Sequence, residues 1–217
     1  MLNQLDHIII AAPDLEIARA WFEDLTGVMP EEGGSHPGLA TRNALVSFGR
    51  GCYLEIVAPD PAQEIEGSFA EPFTLLDAPT IYHWVVQVDA IEHMRAGLID
   101  RGATVGATKS ISRRNTAGDL LSWKMLGVTG HPHGGLLPLY IDWQGCPHPS
   151  SSVQYVGNLL QFEVSLSGPH KAVENLLGPV PADVSMRMGD IGISLRFNSP
   201  KGVVELKTAG RPTGIEL

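Results

Sequence analysis

Two histidines and two carboxylates stand at corresponding positions of a pattern that occurs twice in the sequence. His7 and His83 each open an apolar run typical of a β-strand, and Glu55 and Asp142 each lie within a later apolar run of the same unit. Two units packed about a pseudo-two-fold axis would bring these four side chains together in a half-open cup. Two imidazoles with one or two carboxylates suit a divalent metal with open positions, such as Fe(II), Mn, Ni, Zn or Co. The spacing therefore predicts a metal site; in the alternative interpretation the histidines are structural and the acids lie in water at sheet edges.

Four more polar residues are candidates for contact with a substrate. His36, between glycines and Pro37, is either an acid–base group at the rim of the cup, since imidazole titrates near neutrality, or a plain loop residue. Asn43 is either a polar contact in the same pocket or a turn residue. Arg113 and Arg114 are consecutive in a predicted strand, so alternation directs one of them inward, where a guanidinium can bind a substrate carboxylate through two hydrogen bonds.

The elements that must position these residues form a repeat. Residues 5–22 read as a strand followed by a helix, and residues 81–98 align with them without a gap, which places His83 over His7. A fainter third copy, residues 160–177, carries Phe162 at the histidine position. Each copy precedes about three further strands, so the pattern predicts an α+β fold built from repeated βαβββ modules.

The repeat also sets the predicted domain boundaries. Residues 1–148 are expected to hold two paired modules, 1–60 and 80–145, joined by a linker rich in proline. Residues 152–217 are expected to form a third βαβββ-like module. Because the third module pairs Phe162 with Glu205, it has lost its histidine, and Glu205 is interpreted as structural.

Several stretches resemble one known family. The N-terminal run LDHIIIAAPDLEIARAWF, the glycines around His36, Thr41 with Asn43, and YLEIVAPD are similar to the glyoxalase-like branch of the vicinal oxygen chelate superfamily. RRNTAGDLLSWKM, GGLLPLYIDW and the Pro147-His148-Pro149 segment are similar to the continuation of the same proteins. The resemblance covers essentially the whole chain.

The resemblance implies both a fold and a ligand set. Its members pair βαβββ modules into a cup-shaped mixed sheet around a metal; His7 and Glu55 match the ligand positions of one module, and His83 and Asp142 those of its partner. Asp142 is shorter than the glutamate usual at that position. Because three modules leave one unpaired, the third is predicted to pair with its copy in a second chain, giving a homodimer.

Composition and charge narrow the partners. The formal net charge of −9 disfavours nucleic acids and anionic membrane surfaces, which require basic patches. No apolar run reaches the length of a membrane span and no secretory signal is recognisable, so the protein is expected in the cytoplasm. Its two cysteines, Cys52 and Cys146, are expected to be free thiols. A small-molecule substrate is the expected partner.

Two functions follow, from different classes. The first is a metal-dependent enzyme that binds a small oxygen-bearing substrate, with Glu55, Asp142 or His36 moving a proton; lyase, isomerase or epimerase chemistry would result, or dioxygenase chemistry if the metal is Fe(II). The second is a non-catalytic protein that binds or sequesters a small molecule in the same cup. An apolar cup lined by Trp and Tyr, in which His7 and Glu55 are hydrogen-bonded to each other, favours the second.

Overall fold

The first two repeats form one eight-stranded sheet. The computed structural model describes residues 3–49, 51–114, 118–168, 170–208 and 210–214. The first unit comprises β1 (Asn3–Ala11), α1 (Leu15–Thr26), β2 (Glu31–His36), β3 (Thr41–Gly49) and β4 (Cys52–Pro59). The second comprises β5 (Thr80–Val88), α2 (Ile91–Asp100), β6 (Lys109–Arg114), β7 (Leu120–Gly127) and β8 (Leu139–Asp142). Both units therefore have the predicted βαβββ order of elements.

The step from β1 into α1 is determined by local sequence. Asp14 has extended backbone angles and its side chain accepts a hydrogen bond from the Ile17 backbone N–H at 2.9 Å, which caps the helix. Gly27 ends the helix in a left-handed conformation with φ of 80°. Between these residues Leu15, Ala18 and Phe22 are buried at helical spacing, so the helix packs one apolar face on the sheet.

The sheet curves until its two edges meet. Its strand order is β2-β3-β4-β1-β5-β8-β7-β6, with β1 and β5 antiparallel at the centre. The edge strands approach each other where Arg113 of β6 donates a hydrogen bond to the carbonyl oxygen of Gly33 in β2. A Cβ on Gly34, whose φ is +140°, would lie 2.4 Å from the carbonyl oxygen of Arg114. Glycine at this position therefore allows the sheet to close almost completely around its concave face.

The third unit forms a separate four-stranded sheet. It comprises β9 (Leu159–Leu166), α3 (His170–Leu177), β10 (Val184–Met188), β11 (Gly192–Ser199) and β12 (Gly202–Lys207). The strand order is β10-β9-β11-β12, so the first strand of the unit, β9, has a neighbour on each side. In the first sheet β1 pairs with β5 and so joins the two units, but β9 is an interior strand and cannot pair in the same way with its copy in a second chain. The homodimer therefore stays a prediction.

The third sheet covers the outer, convex side of the first. Phe197 packs on Phe48 with ring centroids 5.2 Å apart, and Phe162 packs on Trp84 at 5.6 Å. The opposite face is polar and carries the Arg187–Glu163 ion pair at 2.6 Å. One continuous outer core thus joins both sheets and leaves the concave face of the first sheet for the cavity. Within the described ranges, no helix is both long and apolar enough to cross a membrane.

Candidate functional site

A cavity of about 720 Å³, including its open mouth, occupies the concave face of the eight-stranded sheet. Most of its wall is apolar or aromatic and consists of Ile9, Leu39, Val57, Phe69, Ile111, Trp123, Met125, Leu139, Ile141 and Trp143. The polar side chains that line it are His7, His36, Thr41, Asn43, Tyr53, Glu55 and Arg113. Such a cavity suits a small, largely apolar molecule with one polar end.

His7 and Glu55 face each other inside the cavity. His7 Nε2 lies 3.5 Å from Glu55 Oε2, and both residues are buried. β1 and β4 are adjacent parallel strands in which His7 stands opposite Tyr53 and Ile9 opposite Glu55, so alternation directs these side chains to one face. The His7 ring also stacks on Tyr53, with centroids 4.5 Å apart and an interplanar angle of 18°. The imidazole is therefore fixed in orientation.

Asp6 holds the other nitrogen of His7. Its Oδ1 lies 2.5 Å from His7 Nδ1, while Oδ2 accepts from Trp143 Nε1 at 2.8 Å and lies 3.0 Å from His148 Nε2. Burial alone would raise the pKa of the Asp6 carboxyl, but the hydrogen bonds and charges of His148 and His7 more than offset it and hold the pKa below its usual value. Asp6 is therefore a buried carboxylate that only accepts hydrogen bonds.

Glu55 is oriented from its other side by Asn43. Asn43 Nδ2 donates to Glu55 Oε1 at 2.6 Å and lies 3.4 Å from His36 Nε2. His36 Nδ1 is 3.0 Å from Thr41 Oγ1, so both ring nitrogens have protein neighbours. Burial lowers the pKa of His36 and outweighs the opposite effect of Glu55, which keeps the ring neutral near pH 7. His36 thus lines the cavity as a support for Asn43 and Glu55.

The two arginines separate as strand alternation requires. Arg113 is buried, lines the cavity and donates through Nη1 to Gly33, whereas Arg114 is exposed and donates to the carbonyl oxygen of Gly118 at 2.7 Å. Burial lowers the pKa of Arg113 while the nearby Glu55 raises it, and a guanidinium keeps its charge through such shifts. Arg113 therefore places a buried cation in the wall of the cavity that also contains the Glu55 carboxylate.

His83 and Asp142 do not join His7 and Glu55. The Nδ1 of the buried His83 accepts from the backbone N–H of Trp84 at 3.0 Å, and the ring is not among the residues that line the cavity. The Asp142 carboxylate accepts from the backbone N–H groups of Ile91 and Gln144 at 3.3 and 3.0 Å, so it caps the start of α2. The four predicted ligands are therefore split between separate places in the fold.

The strand registers explain this separation. Glu55 stands opposite Ile9, two residues after His7, whereas the residue opposite Val85, two after His83, is Leu139. The second unit thus has an apolar side chain where the first has its carboxylate, and Asp142 lies three residues further on the other face. Across the described residues, no three His, Cys, Asp or Glu side chains are grouped so that they could hold a metal ion. The four predicted ligands, all within the described residues, therefore do not form a joint set for a resident metal.

Asp6 and His148 contribute to the site, but the sequence pattern does not predict either of them. Strict alternation would point Asp6 away from the face that His7 occupies; a register irregularity between Leu5 and His7 places both on one side. His148 lies in a proline-rich connection, where no periodicity predicts an orientation. The Pro147-His148-Pro149 segment was one of the signals of the family resemblance, and it carried no information about contact with Asp6.

A family model and one solved structure agree with this fold. A family model described as a glyoxalase-like domain matches residues 5–178. A hypothetical protein from Staphylococcus aureus has a crystal structure that superposes with a TM-score of 0.64 at 16% identity, covering 97% of this chain and 89% of that one. Methylmalonyl-CoA epimerase from Mycobacterium tuberculosis has a TM-score of 0.49 at 24% identity, covering 69% of this chain and 92% of that one. The Streptomyces coelicolor methylmalonyl-CoA epimerase has a TM-score of 0.48 at 21% identity, covering 65% of this chain and 98% of that one. A search of curated proteins found no significant match.

Proposed function

Because the chain belongs to the glyoxalase-like domain family, we propose that its cavity is the active site of an enzyme that moves a proton on a small, oxygen-bearing substrate. The observation that carries this proposal is the pair formed by His7 and Glu55. The two side chains meet at 3.5 Å in an otherwise largely apolar cavity, and each is held from behind by a polar partner, Asp6 for His7 and Asn43 for Glu55.

The pair holds one proton. Asp6 accepts from His7 Nδ1, which leaves Nε2 facing Glu55 Oε2. A bare nitrogen lone pair facing a carboxylate oxygen would be two acceptors without a donor, so a proton between them satisfies both. His7 then lies as an imidazolium between two carboxylates, and Glu55 is balanced by the cation of Arg113. A single mobile proton in a largely apolar cavity suits acid–base catalysis.

This arrangement supports proton transfer at a carbon next to a carbonyl group. The substrate oxygen accepts a hydrogen bond from His7 Nε2–H while Glu55 Oε2 removes the proton from the adjacent carbon. The electrons of the broken C–H bond move into an enolate, whose oxygen the imidazolium stabilises. Return of a proton from Glu55 to the same face of that carbon exchanges its hydrogen with solvent, and return to a neighbouring atom isomerises the substrate. Epimerisation of a stereogenic carbon requires delivery of the proton to the opposite face of the enolate.

Arg113 provides a place for a second polar group of the substrate. It is a buried cation of the cavity wall, and among the described residues its guanidinium donates through Nη1 to Gly33, which leaves its other donors for a carboxylate. The remaining wall is apolar and includes Trp123 and Trp143. We therefore propose a substrate class of small carboxylates that carry a carbonyl group and an apolar or aromatic side chain, such as 2-oxo acids.

The divalent metal implied by the family resemblance has weaker support in this chain. A metal, where one is bound, supplies a Lewis acid for the same oxyanion. Here His7 and Glu55 are the only two of the four expected ligands that line the cavity, and each already has a protein partner. The proposed reaction therefore uses the imidazolium of His7 for that purpose, and the dioxygenase alternative, which requires a second histidine ligand, is not favoured.

A non-catalytic binding function is the second candidate. It is favoured by the predominance of aromatic and aliphatic side chains in the wall and by the direct approach of His7 to Glu55. A protein that only binds its ligand would use Arg113 to hold the carboxylate but would not use the proton shared by His7 and Glu55. Exchange of substrate hydrogen with solvent separates the two functions, because only the enzyme breaks a C–H bond.

The test uses 4-methyl-2-oxopentanoate and 2-oxo-4-phenylbutanoate in D₂O. Proton NMR follows replacement of hydrogen by deuterium at the carbon next to the ketone, and tryptophan fluorescence follows binding. We expect faster exchange with the protein than without it, and a loss of about 10²- to 10⁴-fold in Glu55→Gln. Glu205→Gln, which alters an exposed acid of the third sheet, is the matched control and should exchange like the natural protein. Binding without exchange would favour sequestration, and neither binding nor exchange would overturn the proposed substrate class.

A further inference from the structure

His148 contacts the same buried carboxylate that holds His7, although it lies in the connection between the two sheets. Its Nε2 is 3.0 Å from Asp6 Oδ2, the oxygen that also accepts from Trp143 Nε1 at 2.8 Å. Asp6 Oδ1, by contrast, is left to His7 Nδ1. We propose that His148 is a positioning residue for His7 and acts through Asp6, by keeping the Nδ1–H of His7 bonded to Asp6 and its Nε2 directed at Glu55.

The hydrogen-bond partners of His148 determine where its own proton lies. The backbone N–H of Ser150 donates to His148 Nδ1 at 3.3 Å, and the Ser150 hydroxyl lies 2.8 Å from the same nitrogen. A backbone N–H can only donate, so Nδ1 is an acceptor and the proton of the neutral ring is on Nε2. His148 therefore donates to Asp6.

Two donors on Oδ2 fix the plane of the Asp6 carboxylate. Trp143 is one of them and cannot titrate, and His148 is the other. Because Asp6 is completely buried, its Oδ1 must find a partner inside the protein, and His7 Nδ1 at 2.5 Å is that partner. Removal of the His148 donor leaves the carboxylate held at one point on that side, so His7 loses the constraint that fixes its Nδ1–H bond and the orientation of its ring.

The position of His148 is itself well determined. The connection that carries it is tied to β3, where the Ser47 hydroxyl donates to the carbonyl oxygen of Ser150 at 2.7 Å. The His148 ring meets Tyr53 and Trp143 nearly edge-on, with centroids 5.5 and 5.6 Å away. A histidine that merely covered the surface would not need a buried carboxylate, a backbone donor and two aromatic neighbours.

This inference rests on the proposed function, since His7 is the group that it positions, but its test needs no substrate. Protein labelled with ¹⁵N in its histidine rings is examined by long-range proton–nitrogen NMR, which reports the tautomer of each ring. In the natural protein we expect His148 to carry its proton on Nε2 and His7 to show a slowly exchanging, low-field Nδ1 proton. The opposite tautomer of His148 would overturn the proposal without any variant.

Substitutions of His148 then distinguish the effect of its hydrogen-bond donor from the effect of its side-chain volume. His148→Met keeps similar volume but cannot donate, and we expect loss of the low-field Nδ1 signal of His7. His148→Gln offers an amide donor and should restore the signal, whereas His93→Ala on the exposed face of α2 should leave it unchanged. Persistence of the signal in His148→Met, or equal loss in the folded Met and Gln variants, would contradict the proposal. If the His7 Nδ1 signal responds as expected but the protein does not catalyse hydrogen exchange of the substrate, the proposed function alone is contradicted.

Discussion

His7 Nε2 lies 3.5 Å from Glu55 Oε2, and a separate polar side chain holds each partner from the side away from the other. The polar contacts continue through Asn43 to His36 on one side and through Asp6 to His148 on the other. A row of polar groups, buried except for the half-buried His148, thus crosses a largely apolar cavity. Such networks have definite geometry only when their members are satisfied, so changes at either end should reach the central pair.

Loss of the buried arginine should weaken binding of carboxylates. Arg113→Met removes the cation from the cavity, and we expect affinity for 4-methyl-2-oxopentanoate to fall by about 10- to 100-fold, since hydrogen bonds to charged groups contribute roughly 1.5–3 kcal/mol. Titration calorimetry measures the change. Arg114→Met is the matched control, because that side chain is exposed and bonds only to Gly118 in the described part of the chain. Equal effects of the two substitutions would contradict a carboxylate site at Arg113.

An added methyl group at Gly33 should disturb Glu55 through Asn43. A Cβ there would lie 2.3 Å from Asn43 Oδ1 and 3.2 Å from a Leu45 methyl group, so the amide must move. We expect Gly33→Ala to lower the free energy of unfolding by about 1–3 kcal/mol and to slow hydrogen exchange of the substrate. Gly168→Ala, where a Cβ meets nothing within 4 Å, should do neither. Urea unfolding and the deuterium assay give the two readings; unchanged exchange in Gly33→Ala would show that Asn43 does not orient Glu55.

His36 should make stability depend on mild acid. Its folded pKa lies below the ordinary value of 6.5, so the unfolded chain takes up a proton first as the pH falls below that value. Its contribution to stability is therefore complete above pH 6.5 and is lost as the pH falls toward the lower folded pKa. In this window we expect His36 to lower the free energy of unfolding of the natural protein by about 1 kcal/mol for each pH unit of acidification. His36→Gln should lack this part of the loss. Urea unfolding at several pH values tests this, with His93→Gln as the control; parallel curves for His36→Gln and the natural protein would contradict a buried neutral His36.

Metal content should be low. Protein purified without an affinity tag, incubated with Fe(II), Mn, Ni, Zn or Co and then desalted, is expected to retain well under one ion per chain by elemental analysis, because two neighbouring ligands rarely suffice for tight binding. Near-stoichiometric metal that is lost in both His7→Ala and Glu55→Ala, and retained in Asp142→Ala, would contradict this expectation and favour the metal-dependent form of the enzyme.

Much of the fold could be predicted because it is repeated in the sequence. The family match confirms the predicted vicinal oxygen chelate fold, and the structure has the two βαβββ units of its paired sheet. Alignment of the repeats could not place Asp142, because a shift of three residues against the strand register moves a side chain to the opposite face. The irregularity next to Asp6 and the interior position of β9 depend on tertiary pairing, which leaves no periodic signal in the sequence.

The central claim is that His7 and Glu55 act as one unit, and a double-mutant cycle tests it most directly. The exchange rate of 2-oxo-4-phenylbutanoate in D₂O is compared for the natural protein, His7→Gln, Glu55→Gln and the double variant. Groups that share one proton lose their function together, so each single variant and the double variant should be slowed by a similar factor. Independent losses that multiply in the double variant, or exchange at the natural rate in either single variant, would contradict the account.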